Sequence, residues 1–290
     1  MADGLPGFYE EALVKLVADK SVGCRELAEA VRYSMRSGGK RLRARLLFAA
    51  AESVGGKGDV SGLAASVEMI HAYSLVHDDL PCMDDDDMRR GTATVHRVFG
   101  PVTAMRAGLA LLPIAMDVAV ETCAALRLPD GVACTIVRRL AQASGGGGMI
   151  AGQLRDLEAE GQSVSLLELE RTHAAKTGAL ISASVVIGGL AGGGDETQRA
   201  ALEVFGDKVG LAFQIVDDVL DVTSTSDVLG KTAGRDATLS KSTYPSLMGI
   251  EQASRRAHAL IEEGRRVLAG ANLLTDKLSA LGEFTIARAS

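Results

Sequence analysis

Apolar residues recur at three- and four-residue spacing along most of the chain, and this periodicity restricts the fold more than any other feature. The periodic segments are rich in Ala, Leu, Glu and Arg, and few alternating β-branched runs interrupt them. We therefore predict an all-α protein in which strands are not needed. The predicted helices cover residues 8–20, 25–37, 41–54, 60–80, 101–127, 131–144, 148–160, 165–191, 196–223, 243–269 and 275–288.

The Gly and Pro clusters between these helices are too short to be domain linkers, so we expect residues 1–290 to form a single domain. A hydrophobic content of 47% lets such a chain bury a substantial core. The most apolar stretch, Val102 to Val120, contains Arg106, Pro113 and Asp117. These residues favour a buried helix, and we predict no membrane span.

Charge and cysteine usage narrow the function classes. A net charge of −6 gives no general attraction to nucleic acid, so no nucleic-acid partner is expected. The four cysteines form no CxxC pair and have no His at metal-ligand spacing, which favours reduced intracellular thiols. The N-terminal sequence "MADGLPGFYEEAL" has no basic stretch followed by an apolar run, so a cytoplasmic protein is expected.

The segment "FQIVDDVLDV" places three carboxylates on one face of a predicted helix. Asp217, Asp218 and Asp221 fall within about 100° of arc at 3.6 residues per turn. The neighbouring residues are apolar, and unpaired buried carboxylates are costly, so a cation must be supplied. An all-oxygen ligand set favours Mg²⁺.

A second acidic cluster lies in "SLVHDDLPCMDDDDMRRG", residues 74–91. Asp78 and Asp79 end an apolar helix, and the next residue on the face of Asp78 would be Cys82 in a regular helix. Pro81 disrupts that helix, which allows Asp84 to return toward Asp78. Arg89 and Arg90 follow closely, and arginine suits bidentate binding of phosphate. Carboxylates with arginines therefore indicate a polyphosphate substrate bound through metal.

Three glycine-associated basic patches accompany the acidic clusters: "GGKRLR" at 38–43, "HAAKTGAL" at 173–180 and "LGKTAGRD" at 229–236. A single patch of this kind is most often solvated surface. The third patch is not a P-loop, because Thr225 stands where that motif requires Gly. His77 beside Asp78 also fits the metal pair of helical phosphohydrolases, although the other ligands of such a site are not evident. Without further context, His71 could be a core histidine, Thr177 could bond its own backbone, and Gln214 could satisfy a buried partner.

The motifs "DDLPCMD" and "DDVLD" resemble the first and second aspartate-rich motifs of the trans-isoprenyl diphosphate synthases. The likeness continues through "GGKRLR", "EMIHAYSLVHDDLPCMDDDDMRRG", "GMIAGQLRDLEAEG", "HAAKTGAL", "LGKTAGRD" and "KSTYPSLMGIE". It implies the isoprenoid synthase fold, an all-α homodimer whose two motifs face each other across a deep central cavity. There an allylic diphosphate would be ionised and condensed with isopentenyl diphosphate, and the released diphosphate could remove the proton.

The resemblance also implies roles for residues at matching positions. Mg²⁺ on the allylic diphosphate would be held by Asp78, Asp79, Asp84, Asp217, Asp218 and Asp221. That diphosphate would be bound by Arg89, Lys176, Thr177, Gln214, Lys231 and Lys241. Isopentenyl diphosphate would be held by Lys40, Arg43, His71 and Arg90. The most direct catalytic roles are expected for Asp78, Asp84, Asp217, Lys176 and Lys231.

The sequence departs from the family pattern at a few positions. Leu109 replaces the usual aspartate in "AGLALL", Ala44 stands where proline is common, "GTATVH" replaces "GKPTNH", and Ser240 stands where an acid is frequent. None removes a residue named above, but Leu109 leaves the level of activity open. Two other classes are considered, a class I terpene cyclase and a non-catalytic partner subunit. Two intact aspartate motifs, together with Lys40, Arg43 and His71, favour the condensing enzyme.

Residues upstream of Asp78 predict the product length. One helical turn rises ~5.4 Å, comparable to one five-carbon unit, so Ser74 and Tyr73 should flank the growing chain. Ser74 is small, whereas an aromatic residue at the position of Tyr73 is similar to farnesyl-producing bacterial enzymes. We therefore expect farnesyl diphosphate as product, with geranylgeranyl diphosphate as the alternative. Tyr73 could also simply pack in the core.

Overall fold

Glycine, proline and capping side chains fix the ends of the helices. The computed structural model describes residues 9–20, 24–36, 38–223 and 241–287. Pro101 opens one helix directly after Gly100, and a Ser165–Glu168 capping box opens another. The α-helices are α1 (Tyr9–Lys20), α2 (Arg25–Arg36), α3 (Leu42–Ser53), α4 (Ser61–Asp78), α5 (Val95–Phe99), α6 (Pro101–Ala125), α7 (Asp130–Ser144), α8 (Met149–Glu158), α9 (Leu166–His173), α10 (Ala179–Ala191), α11 (Glu196–Thr223), α12 (Tyr244–Met248), α13 (Ile250–Gly270) and α14 (Asp276–Ile286).

A small hairpin corrects the expectation that no strand is needed. Strands β1 (Met88–Arg89) and β2 (Thr92–Ala93) pair antiparallel immediately after the first acidic cluster. The two residues between them, Arg90 and Gly91, have φ values of 54° and 76°. Two positive φ values in a two-residue loop are the requirement of the tight hairpin turn that matches strand twist.

Two predicted helices are divided in the structure. The segment predicted as one helix over 165–191 contains a π-helical turn, Ala174–Gly178, between α9 and α10. The segment predicted over 243–269 is broken at Gly249, whose φ of 82° separates α12 from α13. The short helix α5, also bounded by a glycine with positive φ, was not predicted.

The buried apolar residues form two clusters that share α3 and α10. The first contains the buried apolar residues of α4 and α6, and the second contains those of α11 and α13. The backbones of α3 and α10 approach closely, because a Cβ on Gly188 would lie 2.2 Å from the Leu47 carbonyl oxygen. A Cβ on Gly192 would similarly lie 2.5 Å from the Ala51 carbonyl oxygen. We call this α3–α10 contact the seam; α4 and α11 lie on opposite sides of it.

Two described stretches, Pro101–Ala125 and Leu166–Ala191, are long and apolar enough to cross a membrane by length and composition alone. The most apolar window is 72% buried in the second and 39% buried in the first. The interpretation of Val102–Val120 as a buried helix therefore holds for one face only. Core helices of water-soluble proteins pass the same test, so this finding is weak evidence for a membrane.

Candidate active site

A cavity of about 730 Å³ opens between α4 and α11, and most of the predicted site residues line it. Those residues are Lys40, Arg43, His71, Ser74, Asp78, Asp84, Arg89, Arg90, Lys176, Thr177, Gln214, Asp217, Asp218, Asp221 and Lys241. Asp79 and Tyr73 do not line it, and Lys231 lies outside the described residues. The structure therefore brings the two acidic clusters and two of the three basic patches to one cavity.

The first acidic cluster folds back on itself after α4 ends. The backbone N–H of Asp84 donates to the carbonyl of Asp78 over 2.8 Å, in the manner that the position of Pro81 predicts. Asp85 takes a φ of 50° in this turn. Burial raises the pKa of Asp78 to about 6, and the Asp84 carboxylate adds to the rise while Lys176 opposes it. These two acids therefore share a site that favours a cation.

Asp79 faces a different group from the one predicted. Its Oδ1 accepts from Arg89 Nε at 2.6 Å, and Arg89 Nη2 also reaches Asp86 Oδ2 at 3.2 Å. Asp79 is almost fully buried and stands behind Arg89 rather than on the cavity wall. In this structure the Asp79 carboxylate orients the Arg89 guanidinium, and its role as a metal ligand stays a prediction.

Asp156 is a site residue that the sequence reasoning missed. Its Oδ2 accepts from Lys176 Nζ at 2.7 Å and from Lys241 Nζ at 2.9 Å, and Lys241 also pairs with Glu160 at 3.2 Å. Although burial opposes it, these two lysines hold the pKa of Asp156 well below its usual range. The signal lay in "GQLRDLEAEG", in which Asp156 and Glu160 are four residues apart, the spacing of neighbours on one helix face. Asp156 thus clamps two predicted phosphate-binding lysines together.

The second acidic cluster divides into different roles. Asp218 is buried, and its Oδ2 accepts from the backbone N–H of Tyr244 at 3.1 Å and lies 3.3 Å from His173 Nε2. Its Oδ1 accepts from Gln214 Nε2 at 3.2 Å. Asp218 therefore ties α11 to α9 and to the start of α12, and both of its oxygens already have donors. Asp217 and Asp221 complete the acidic face on the cavity wall.

Thr177 and Gln214 form a polar pair on the cavity wall. Thr177 Oγ1 donates to Gln214 Oε1 over 2.8 Å, which fixes the orientation of an amide that donates onward to Asp218. Thr177 and Lys176 both belong to the π-helical turn. Such turns are frequent at functional sites because the extra residue redirects side chains.

A second group of cations surrounds the loop at residues 38–43. Lys40 Nζ lies 5.2 Å from the centre of the Phe284 ring, and Arg90 Nη1 donates to the Gly38 carbonyl. Burial lowers the pKa of Arg43 to about 10, and nearby Arg90 contributes to the fall. Burial, Arg43 and Arg90 likewise hold the pKa of His71 well below its usual value, so His71 is neutral at pH 7.

Arg41, which carries no predicted role, anchors this loop. Its guanidinium makes a bidentate contact with Glu10 at 2.8 and 2.9 Å, donates to the Met35 carbonyl, and lies 3.4 Å from Glu68. Glu68 Oε1 also accepts from the backbone N–H of Ala44 at 3.1 Å. Helix α1 is thereby connected to the wall that carries Lys40 and Arg43.

The carboxylates of the cavity suit Mg²⁺ that binds together with a substrate. Within the described part of the chain, no three His, Cys, Asp or Glu side chains are grouped closely enough to enclose an ion by themselves. Mg²⁺ usually keeps several waters and binds through one or two carboxylates plus substrate phosphates. Acidic residues lie on two walls of the cavity, and burial raises the pKa of one of them, Asp78. This arrangement suits Mg²⁺ ions that enter the cavity together with a diphosphate.

Leu109, the departure that left activity open, lies away from the chemistry. It is 52% exposed on α6 and is not among the cavity-lining residues. Val102 and Met105 are also exposed, at 56% and 43%, and the spacing i, i+3 and i+7 puts all three on one face. We call these three residues the apolar α6 face.

Comparisons with known proteins identify the family of the chain. The polyprenyl synthetase family model matches residues 24–267. The chain is 43% identical to the farnesyl diphosphate synthase of Escherichia coli (strain K12) over 284 residues, covering 96% of this chain and 94% of the relative. It is 46% identical to the chloroplastic geranylgeranyl pyrophosphate synthase of Capsicum annuum over 244 residues, covering 83% of this chain and 66% of the relative.

A solved structure extends the likeness to the backbone. The geranyltransferase from Helicobacter pylori, complexed with magnesium and isoprenyl diphosphate, aligns with a TM-score of 0.80 at 30% identity. The alignment covers 97% of this chain and 95% of that one. With family motifs, fold and cavity in agreement over nearly the whole length, the chain belongs to the polyprenyl synthetase family and has its all-α isoprenoid synthase fold.

Proposed function

We propose that this chain is a prenyltransferase that condenses isopentenyl diphosphate with an allylic diphosphate to give farnesyl diphosphate. One observation carries the proposal: a single cavity has two acidic walls and two separate groups of cations. Arg89, Lys176 and Lys241, each paired with a carboxylate, suit one diphosphate. Lys40, Arg43 and Arg90 suit a second. A reaction between two diphosphates needs two such sites in one cavity.

The proposed ionisation depends on charges that are in place before substrate arrives. Mg²⁺, held by Asp78 and Asp84 on one wall and by Asp217 and Asp221 on the other, would neutralise the departing diphosphate. Lys176 and Lys241 are held by Asp156, and Arg89 is held by Asp79, so these donors reorganise little during the reaction. Lys231 remains a further proposed contact to the allylic diphosphate.

The second substrate would enter on the side of the 38–43 loop. There Lys40, Arg43 and Arg90 would bind isopentenyl diphosphate, and neutral His71 would donate or accept a hydrogen bond without adding charge. The isopentenyl double bond attacks the allylic cation, and the released diphosphate takes the proton. Thr177 and Gln214 present oxygen atoms to the cavity, which suits a nearby positive charge.

The wider setting belongs to the same proposal. We infer a homodimer, because the apolar α6 face is exposed in the single chain and a second copy would cover it. We also infer a cytoplasmic, Mg²⁺-dependent enzyme with no nucleic-acid partner and no membrane span, in which residues 1–290 form one domain. A terpene cyclase or a non-catalytic subunit is disfavoured by the complete second cation group. Geranylgeranyl diphosphate remains the alternative product, since relatives named for both products match at comparable identity.

Incubation with labelled isopentenyl diphosphate tests the proposal directly. The purified chain is supplied with dimethylallyl, geranyl or farnesyl diphosphate in turn, with Mg²⁺ or with a chelator, and the products are sized. We expect fifteen-carbon product from the first two primers and none with chelator. A twenty-carbon main product would establish the alternative. Cyclic hydrocarbon formed without use of isopentenyl diphosphate would contradict condensation, as would activity that appears only with another subunit.

A further inference from the structure

Gln153 is a buried polar residue on the cavity wall that the roles above do not use. It lies on α8, is 8% exposed and lines the cavity. Among the residues that the structure describes, neither its Nε2 nor its Oε1 has a hydrogen-bond partner, although both atoms are buried. More than nine in ten buried polar groups in proteins are paired, and leaving one unpaired is costly. A group that enters the cavity is therefore the expected partner of this amide.

The position of Gln153 on α8 indicates which part of a substrate it meets. Met149, Gln153 and Asp156 follow at i, i+4 and i+7, so all three point to one side, and all three line the cavity. Asp156 marks the phosphate-binding end, since it holds Lys176 and Lys241. Met149 is buried and apolar. With a rise of about 1.5 Å per residue, Gln153 lies about 4.5 Å along the axis from Asp156, toward Met149.

Backbone packing fixes Gln153 beside the π-helical turn. A Cβ on the preceding residue, Gly152, would lie 2.1 Å from the backbone nitrogen of Lys176. Helix α8 and the turn therefore touch backbone to backbone at this level. Gln153 follows Gly152 directly, so its backbone lies beside the turn that carries Lys176 and Thr177. Along α8 it stands between Asp156, which holds the lysines, and the apolar Met149.

We propose that Gln153 is a further catalytic residue, whose carboxamide contacts the allylic substrate where its diphosphate joins the first carbon. This inference rests on the proposed condensation. When the carbon–oxygen bond breaks, its electron pair leaves with the diphosphate and the positive charge remains on the allyl group. The Gln153 N–H donates to a diphosphate oxygen, and its carbonyl oxygen faces the developing charge. Both amide atoms then gain the partners that they lack in the free protein.

The test replaces the amide by an apolar side chain of similar length. Gln153→Met should lower kcat by about a hundredfold, the scale of one preorganised polar group, while the KM for isopentenyl diphosphate stays within about twofold. The thermal midpoint of the ligand-free variant should equal or exceed that of the wild type, because two unpartnered polar atoms are removed. Gln142→Met, at an exposed position on α7, is the matched control and should leave both quantities unchanged.

The outcomes separate this inference from the proposed function. Wild-type kcat in Gln153→Met, beside an active wild type, overturns the inference and leaves the condensation intact. A fall in thermal midpoint that parallels the fall in kcat indicates a structural role and also overturns it. If Gln153→Met does not fold, Gln153→Glu, which keeps the shape and replaces the N–H donor by an oxygen, must raise the KM for the allylic substrate. An unchanged allylic KM in that variant overturns the inference. A wild type that forms no prenyl diphosphate overturns both.

Discussion

At the scale of single residues, the ion pair between Arg41 and Glu10 shows how a side chain outside the cavity can shape a proposed substrate site. Its backbone has a φ of 46°, an uncommon conformation for a residue with a side chain, and the bidentate contact with Glu10 helps to hold it there. Lys40 immediately precedes Arg41, and Arg43 follows two residues later. We therefore expect Glu10 to act on the proposed isopentenyl diphosphate site through the loop, without touching substrate.

We predict that Glu10→Ala raises the KM for isopentenyl diphosphate about tenfold and leaves the allylic KM unchanged, because a charge-assisted contact contributes roughly 1.5–3 kcal/mol. Steady-state kinetics with each substrate varied in turn gives the comparison. Glu11→Ala is the matched control, since Glu11 is the exposed next residue of α1. Equal changes in both KM values would mean that Glu10 acts on the whole fold.

Tyr73 has a different position from the cavity floor that the sequence predicts. It is 7% exposed, is absent from the cavity lining, and packs edge-on against His77 with ring centres 4.7 Å apart. His77 in turn lies 3.0 Å from the Met105 carbonyl on α6. Tyr73 can limit the product only through the residues that it supports, such as the neighbouring Ser74.

We predict that Tyr73→Ala shifts the product toward twenty carbons, because removing a buried ring opens space beside the wall formed by Ser74 and Leu75. Chromatographic sizing of the products from geranyl diphosphate gives the measurement. The variant should also unfold at lower temperature, as a truncated buried aromatic costs about 3–5 kcal/mol. An active, folded variant with unchanged products would assign Tyr73 to the core alone.

The residue-scale success of the sequence has a clear limit. Asp78, Asp84, Asp217 and the lysines could be found because they belong to dense motifs whose chemistry stands out. No role could be assigned to Asp156 or Gln153 from the sequence, because their roles depend on lysines and on a cavity wall that distant segments contribute. Adjacent aspartates look equivalent in sequence, so the sequence could not show that Asp78 lines the cavity while Asp79 pairs with Arg89.

At the scale of elements, the π-helical turn is the feature that no periodicity predicts. The sequence from 165 to 191 has one continuous helical pattern, and the π-helical turn lies where another helix, α8, packs against it. Gly152 of α8 allows the backbone of that turn to approach. The long helices could be predicted because each buries an apolar stripe, whereas local departures such as α5 and the β1–β2 hairpin depend on single glycines at positive φ.

We predict that Gly152→Ala lowers kcat by more than tenfold and lowers the thermal midpoint, because the added Cβ would lie 2.1 Å from the Lys176 nitrogen and must displace the turn. Overpacking of this kind costs about 1–3 kcal/mol. Gly147→Ala is the control, since a Cβ there meets nothing within 4 Å. The kcat and the thermal midpoint are measured for both variants. Wild-type values for Gly152→Ala would exclude a close backbone contact between α8 and the π-helical turn.

At the scale of the whole molecule, the apolar α6 face is an exposed apolar surface in the described part of the chain. Leu109 belongs to this face, so the departure from the family aspartate makes the surface more apolar rather than altering the cavity. A second copy of the chain covering the face would explain why an apolar residue is tolerated there.

We predict that Met105→Glu converts the proposed dimer to a monomer. In a two-fold symmetric interface each chain would bury one glutamate, and neither charge would have a partner of opposite sign. Light scattering after size-exclusion chromatography reports the mass of each species. Leu167→Glu, at a residue of α9 that is 56% exposed, should leave the mass unchanged. A dimeric Met105→Glu protein would mean that the dimer interface lies on another surface.

The seam between α3 and α10 bears on how this chain tolerates variation. Gly188 and Gly192 face backbone atoms of α3 at distances that no side chain can share, and both apolar clusters rest on these two helices. A substitution at either glycine would disturb the packing of both apolar clusters, whereas the loops around the cavity can accommodate a new contact locally. In a comprehensive mutational scan, these glycines should be as intolerant as the aspartates, although they touch no substrate. We therefore expect evolution to preserve glycine at these two positions for a reason of packing, as strictly as it preserves the aspartates for a reason of chemistry.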